Sequence, residues 1–85
     1  MIMNKILINI YIPASEKNIE VRVPKTMKIG ELTEMVKGYL LKDETVNFIP
    51  TKDTRLCDER KGNIYPYSAS MYELDLSEGQ RMTLM

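Results

Sequence analysis

The sequence predicts an α+β domain of the β-grasp type: a mixed sheet of four to five strands packed on one helix. Three observations predict it. Two apolar runs of period two open the chain, a single apolar stripe of helical period follows, and a Gly-turn then leads into a last alternating run. A hairpin with one apolar face and a helix with one apolar stripe must each bury that surface, and each is the other's natural cover.

The first run is the strongest. Ile6, Ile8, Ile10 and Ile12 alternate with Lys5, Leu7, Asn9 and Tyr11, so four β-branched residues share one strand face. Pro13 ends the strand, and Ala14-Ser15-Glu16-Lys17-Asn18 forms a polar turn. Ile19, Val21 and Val23 then alternate with Glu20 and Arg22 up to Pro24, giving a second strand joined to the first as a hairpin. After Pro24 the period changes. Ile29, Leu32, Val36 and Tyr39 or Leu40 fall on one helical face widened by Met35, with Glu31, Thr33, Glu34 and Lys37 towards water. Thr26 is the better cap by type, while the periodicity begins nearer Lys28. Gly30 and Gly38 weaken the helix, so docking on the hairpin must supply its stability.

Val46-Asn47-Phe48-Ile49 is expected to form a short third strand closed by Pro50, and Arg55-Leu56-Cys57-Asp58 a brief edge strand. Thr51-Lys52-Asp53-Thr54 is a polar turn and Glu59-Arg60-Lys61-Gly62-Asn63 a charged loop, and residues 64–70 follow without clear periodicity. Leu74 and Leu76 precede the turn Ser77-Glu78-Gly79, where Gly79 suits a positive φ. Met82 and Leu84 then mark the final strand, which is expected to lie parallel to the first in the middle of the sheet. The expected core is Ile6, Ile8, Ile10, Ile19, Val21, Val23, Leu32, Val36, Phe48, Met82 and Leu84. A ferredoxin-like fold would need a second helix, and only residues 64–76 could supply it, with Pro66 in the way.

Length and composition bound the function. With 85 residues, the stretch 1–85 is a single domain, and it buries roughly 60–65% of its unfolded surface. Lys+Arg and Asp+Glu both number 12, so no global field draws the chain to nucleic acid or an anionic membrane. The apolar run Ile6-Leu7-Ile8 is far shorter than the roughly 20 residues of a spanning helix. The single Cys57 excludes an intramolecular disulfide and suits a reducing compartment. The expectation is a soluble cytoplasmic protein with no direct membrane insertion, held at a membrane only through a partner.

Most site chemistry falls away on residue type. Without histidine there is no Ser-His-Asp triad, no Cys-His pair and no histidine metal site. Cys57 lies beside Asp58, and a neighbouring acid raises a thiol's pKa, so the expected role is a small half-buried residue and not a nucleophile. Asp58-Glu59 could be offered as an acid/base pair or a hard-cation site. Adjacent strand residues point apart, however, and Lys61 and two arginines crowd them, so a solvated loop is expected. Four scattered glycines make neither a P-loop nor a dinucleotide motif. No enzyme, cofactor or metal is expected.

Two longer patterns carry a resemblance. Val23-Pro24…Ile29…Leu32…Val36 is similar to the passage from the second strand into the helix of the ubiquitin-like superfamily. Met71…Leu74-Asp75-Leu76-Ser77-Glu78-Gly79-Gln80-Arg81-Met82-Thr83-Leu84 is similar to that superfamily's closing pattern. The chain resembles the superfamily over nearly its whole length, and in size the YukD/EsaB family, small ubiquitin-like proteins of bacterial type VII secretion systems. The resemblance implies a non-catalytic interaction module, with the cytosolic parts of a secretion apparatus as partners. It also offers a modifier or sulfur carrier, which threads a flexible glycine-tipped tail into an activating enzyme; here no glycine follows Gly79, and Met85 is expected to end a strand. A small nucleic-acid-binding β-grasp domain is the third alternative, disfavoured by the neutral charge.

Recognition would then fall to a surface. The outer sheet face is expected to carry Leu7, Asn9 and Tyr11 from the first strand, Arg81, Thr83 and Met85 from the last, and Ile49 from the third. Of these, Leu7, Tyr11, Ile49, Arg81 and Met85 are the expected protein-binding residues. Tyr65, Tyr67 and Tyr72 form a second candidate, since tyrosine is enriched at interfaces.

Overall fold

The computed structural model describes residues 5–43 and 48–85. Strand β1 (Lys5–Ile12) buries all four isoleucines, at 6% exposure or less. It pairs antiparallel with β2 (Lys17–Pro24) in an unbroken register from Lys5–Pro24 to Ile12–Lys17. The turn between them is held by Ser15 N–H donating to Ile12 O (3.2 Å) and Glu16 N–H to Pro13 O (3.3 Å), with Glu16 at a positive φ of 53°. Helix α1 (Ile29–Lys42) covers the inner face. Its cap is Lys28, not Thr26. The residue is extended, and its N–H donates to the Glu31 carboxylate at 3.0 Å, the acidic half of a capping box.

Strand β4 (Gln80–Leu84) runs parallel to β1, with Ile10 beside Met82 and Tyr11 beside Thr83. Strand β3 (Leu56–Asp58) adds antiparallel to β4, so the order is β2-β1-β4-β3. The last strand is therefore central, and Gly79 enters it at φ 80°. Its N–H donates to Leu7 O at 2.8 Å, which extends the β1–β4 pairing back by one bond. No helix among the described residues is long and apolar enough to cross a membrane.

Several expectations need correction. Val46 and Asn47 lie outside the described residues, and Phe48 and Ile49 lie in irregular chain, not in the expected strand. Phe48 packs against the core without a ladder to hold it, whereas Ile49 is 82% exposed. Thr33 is fully buried; its hydroxyl donates to Ile29 O at 2.7 Å, which satisfies the oxygen inside the core. Ile19 and Val21 are only partly buried, because β2 is an edge strand and the helix stops short of covering them. Ile12, Ile29, Leu40, Leu56, Met71 and Leu76 complete the core instead.

The stretch expected to resist a second helix contains one capped turn. The Ser70 N–H donates to Glu73 Oε1 and the Glu73 N–H to Ser70 Oγ, both at 3.0 Å, a complete capping box. Leu76 N–H then reaches Met71 O (3.0 Å) and Asp75 N–H reaches Tyr72 O (3.1 Å), with Asp75 in the left-handed region at φ 53°. That is a Schellman ending around a single turn, and it drives Met71 and Leu76 into the core. The Ser70 backbone N–H, then its hydroxyl, holds the Glu73 carboxyl below the usual glutamate range. A depressed folded pKa means this stabilisation is complete above the ordinary glutamate pKa and lost as pH falls through the lowered one. Glu73→Gln is expected to shrink the loss of melting temperature between pH 6 and about pH 3, a difference that thermal scans on both proteins would read; identical acid limbs would contradict it.

Candidate functional site

The helix covers one face of the sheet, and no second helix lies on the other among the described residues. Strand alternation sends Leu7, Asn9 and Tyr11 of β1 to this outer face, where β2 sets Arg22, Glu20 and Asn18 beside them in turn. On the other side β4 sets Arg81 beside Asn9 and Thr83 beside Tyr11, and β3 sets Cys57 beside Thr83. One row therefore runs Asn18, Tyr11, Thr83, Cys57 across all four strands.

Tyr11, Pro13, Asn18, Glu59, Arg81 and Thr83 enclose a shallow hollow of about 410 Å³. Arg81 is exposed, and its Nε donates to Glu59 Oε2 at 3.1 Å across the rim. Beyond Arg81 a second cleft of about 620 Å³ lies between the β3 turn and the turn before β4, with walls that include Asp58, Glu59, Arg60, Lys61, Glu78 and Arg81. On the β2 side of the face Arg22 Nη1 meets Glu78 Oε2 at 3.4 Å, both side chains more than half exposed. Pairs this exposed orient side chains more than they stabilise. The face is thus a ridge of half-buried Leu7, Tyr11 and Thr83 edged with ion pairs, more polar than its apolar residues alone suggest.

The structure brings Leu7, Tyr11 and Arg81 onto this face. Met85 follows directly on β4, 56% exposed, its backbone exchanging hydrogen bonds with Arg55 at 2.7 and 3.0 Å. Ile49 does not join through a strand, because none forms at that position. Cys57 was missed as a member of the face and is fully buried, not half-buried, because the bridge to Ile64 covers its edge. Burial pushes its thiol pKa up, the direction expected though not through Asp58. Asp58 caps its own turn, accepting from Arg60 N–H at 2.7 Å and Lys61 N–H at 3.4 Å, while Glu59 turns to Arg81.

The three tyrosines do not form one surface. Tyr65 packs against the core, and burial raises its phenol. Tyr72 is exposed beneath the Lys25 ammonium, 5.9 Å from the ring centre. Tyr67 lies across the start of α1: its ring fills the space over Gly30, Arg55 stacks on it at 5.1 Å, and its hydroxyl donates to Glu34 Oε2 at 2.8 Å. Lys37 reaches the same oxygen at 3.2 Å, as the spacing of the two residues predicts. The Tyr67 hydroxyl, then Lys37, holds the Glu34 carboxyl below its usual range, and the same bond raises the Tyr67 phenol. This ring is a strut between loop and helix.

No protein-family model and no curated protein matches the chain. Solved structures do. Ubiquitin of Caldiarchaeum subterraneum is 18% identical with a TM-score of 0.77, over 95% of this chain and 91% of that one. The ubiquitin-like domain of Plasmodium falciparum Dsk2 is 17% identical with a TM-score of 0.73, over 95% and 96%. A chain of the toluene 4-monooxygenase HD complex with the inhibitor 4-bromobenzoate is 12% identical with a TM-score of 0.78, over 95% and 96%. At these identities the likeness is one of fold: the domain is a ubiquitin-like β-grasp.

Proposed function

We propose that this ubiquitin-like domain is a non-catalytic docking module that holds a protein partner on the outer face of its sheet. The observation that carries the reading is Tyr11 and Arg81 set around one hollow on a face that no helix covers among the described residues. Tyrosine and arginine are the residue types that most often anchor an interface, and a hollow between them admits a partner's side chain. Leu7 supplies apolar area beside them, and the ion pairs at the rim select the approach. Following the resemblance to the YukD/EsaB family, the partner is a cytosolic part of a type VII-like secretion apparatus, which would bring the domain to the membrane without inserting it.

The test is titration of the purified cytosolic region of that apparatus's membrane ATPase against the wild type, Tyr11→Ala and Arg81→Glu. Each substitution is expected to weaken binding by at least about tenfold while circular dichroism and melting stay as they were. Binding that survives both substitutions unchanged would remove this face from the reading. Absence of binding by the wild type would remove the secretion partner.

A further inference from the structure

We propose that β2 is a self-pairing edge, through which two copies of this chain join antiparallel about a two-fold axis, with Val21 opposite Val21 and Glu20 opposite Arg22 of the second copy. The pairing runs along the free backbone of β2; Glu20 and Arg22 border the outer face, but the proposal does not depend on the docking reading.

The two edges of the sheet are unlike. The β3 edge is occupied: Asp58 N–H donates to Asn63 O at 2.8 Å and Tyr65 N–H to Leu56 O at 3.0 Å. The β2 edge runs the length of the strand with no neighbour beyond it among the described residues. The usual safeguards of an exposed edge stand only at its ends, as Lys17 and Pro24. The register holds no bulge, and the inward positions Ile19, Val21 and Val23 carry no charge. Ile10 and Ile8, their neighbours on β1, are fully buried, so the core is closed beside β1 and open beside β2. Met35 and Tyr39, one helical turn apart, overhang this opening at 42% and 55% exposure. Together with Ile19, Val21 and Val36 they line a groove of about 510 Å³. An extended strand fits it, because only a strand both satisfies the free backbone groups of β2 and places alternate side chains under the helix.

The charges on β2 select a second copy as that strand. Directly opposed residues share a sheet face, so in a symmetric pair outward residues meet outward ones. Outward are Asn18, Glu20 and Arg22; inward are Ile19, Val21 and Val23. Registers that oppose inward to outward set apolar residues against charges. Two remaining registers overlap nearly the whole strand. One is centred on Glu20 and sets that carboxylate against its own copy. The other is centred on Val21, sets Glu20 against Arg22 twice, and pairs Ile19 with Val23. Within the paired residues 18–24 only the second is free of like-charge opposition, with Lys17 and Lys25 meeting just beyond its ends. It leaves Pro24, which has no N–H to offer, at the end of the pairing. It also places the second copy's Val21 and Val23, opposite Val21 and Ile19, at the groove beneath Met35 and Tyr39. The present partner of Arg22, Glu78 at 3.4 Å, is itself exposed and leaves the guanidinium accessible.

Sedimentation equilibrium over about 10 µM to 1 mM suits an interface at the small end of the usual range. The wild type is expected to dimerise across that interval. Glu20→Arg alone and Arg22→Glu alone are each expected to weaken dimerisation at least tenfold, since each opposes like charges twice. The double variant Glu20→Arg/Arg22→Glu restores it, and so does an equimolar mixture of the two single variants, whose chains complement one another at both positions. A wild type that stays monomeric to the top of the range overturns the proposal. So does a dimer indifferent to both reversals, or a double variant and a mixture that both remain monomeric. Circular dichroism on every variant separates these results from misfolding.

Discussion

Ile10→Ala is expected to cost about 3–4 kcal/mol and to lower the melting temperature by roughly 15–20 °C. Ile10 is fully buried, with Ile19 on one flank and Met82 on the other, and its neighbours Ile8 and Ile12 are equally enclosed. Removing its branched side chain opens a cavity that strands pinned on both sides cannot close by moving together. A domain of this length holds roughly 5–10 kcal/mol in total, so the loss is a large share of the whole. Urea unfolding with wild type and Leu41→Ala in parallel is the measurement. Leu41 is 69% exposed, and its truncation should stay within about 0.5 kcal/mol. An Ile10→Ala cost below about 1 kcal/mol would mean the core is centred elsewhere.

The second large effect is a difference of sign between two identical substitutions in one helix. Gly38→Ala is expected to stabilise by about 0.5–1 kcal/mol, because alanine stiffens the unfolded chain and a methyl group at Gly38 meets nothing within 4 Å. Gly30→Ala receives the same propensity gain and is nonetheless expected to destabilise by about 1–3 kcal/mol. Its methyl group would stand 2.5 Å from Tyr67 Cδ2 and 3.0 Å from the Tyr67 carbonyl oxygen. The ring cannot simply swing aside, since its hydroxyl is bound to Glu34 and Arg55 lies on its face. The Gly30 N–H also donates to that same carbonyl at 2.8 Å, so the backbone there is tied as well. Thermal unfolding of both variants decides the matter. Truncating Tyr67 to alanine in the Gly30→Ala background should recover part of the loss, and no recovery would place the strain elsewhere.

How far the fold could be read from the sequence follows from the range of each signal. Period two along Ile6 to Ile12 identifies β1 and its buried face without ambiguity, because alternation is local and four isoleucines repeat it. The Gly79 turn and the alternation after it are legible for the same reason. Met71 and Leu76 are not, since they enter the core from one capped turn, too short for any period to show. The Ser70 and Glu73 spacing was the available signal for that turn. The pair Phe48 and Ile49 misleads in the opposite way: one inward and one outward residue look like a strand, yet one apolar anchor needs no ladder. Gly30 looks like a weakness in its helix until Tyr67, distant in sequence, is laid over it. For the candidate site, strand parity gives the face, so Leu7, Tyr11 and Arg81 are legible together. That Cys57 shares their row depends on the β3–β4 register, which no local pattern carries.

The parallel pairing of β1 with β4 has a consequence in time. The β1–β2 hairpin and α1 can form as soon as they emerge in synthesis, since their contacts are close in sequence. The second edge of β1 must wait for Gln80–Leu84, completed roughly 3–12 s after β2 at the usual 5–20 residues per second. Throughout that interval a nascent chain shows a sheet of two strands with both long edges bare and a core missing Met82 and Leu84. Closing so long a loop is also the slow step expected on refolding. For a growing chain, the last strand to be made is the one that turns a sticky intermediate into a finished domain.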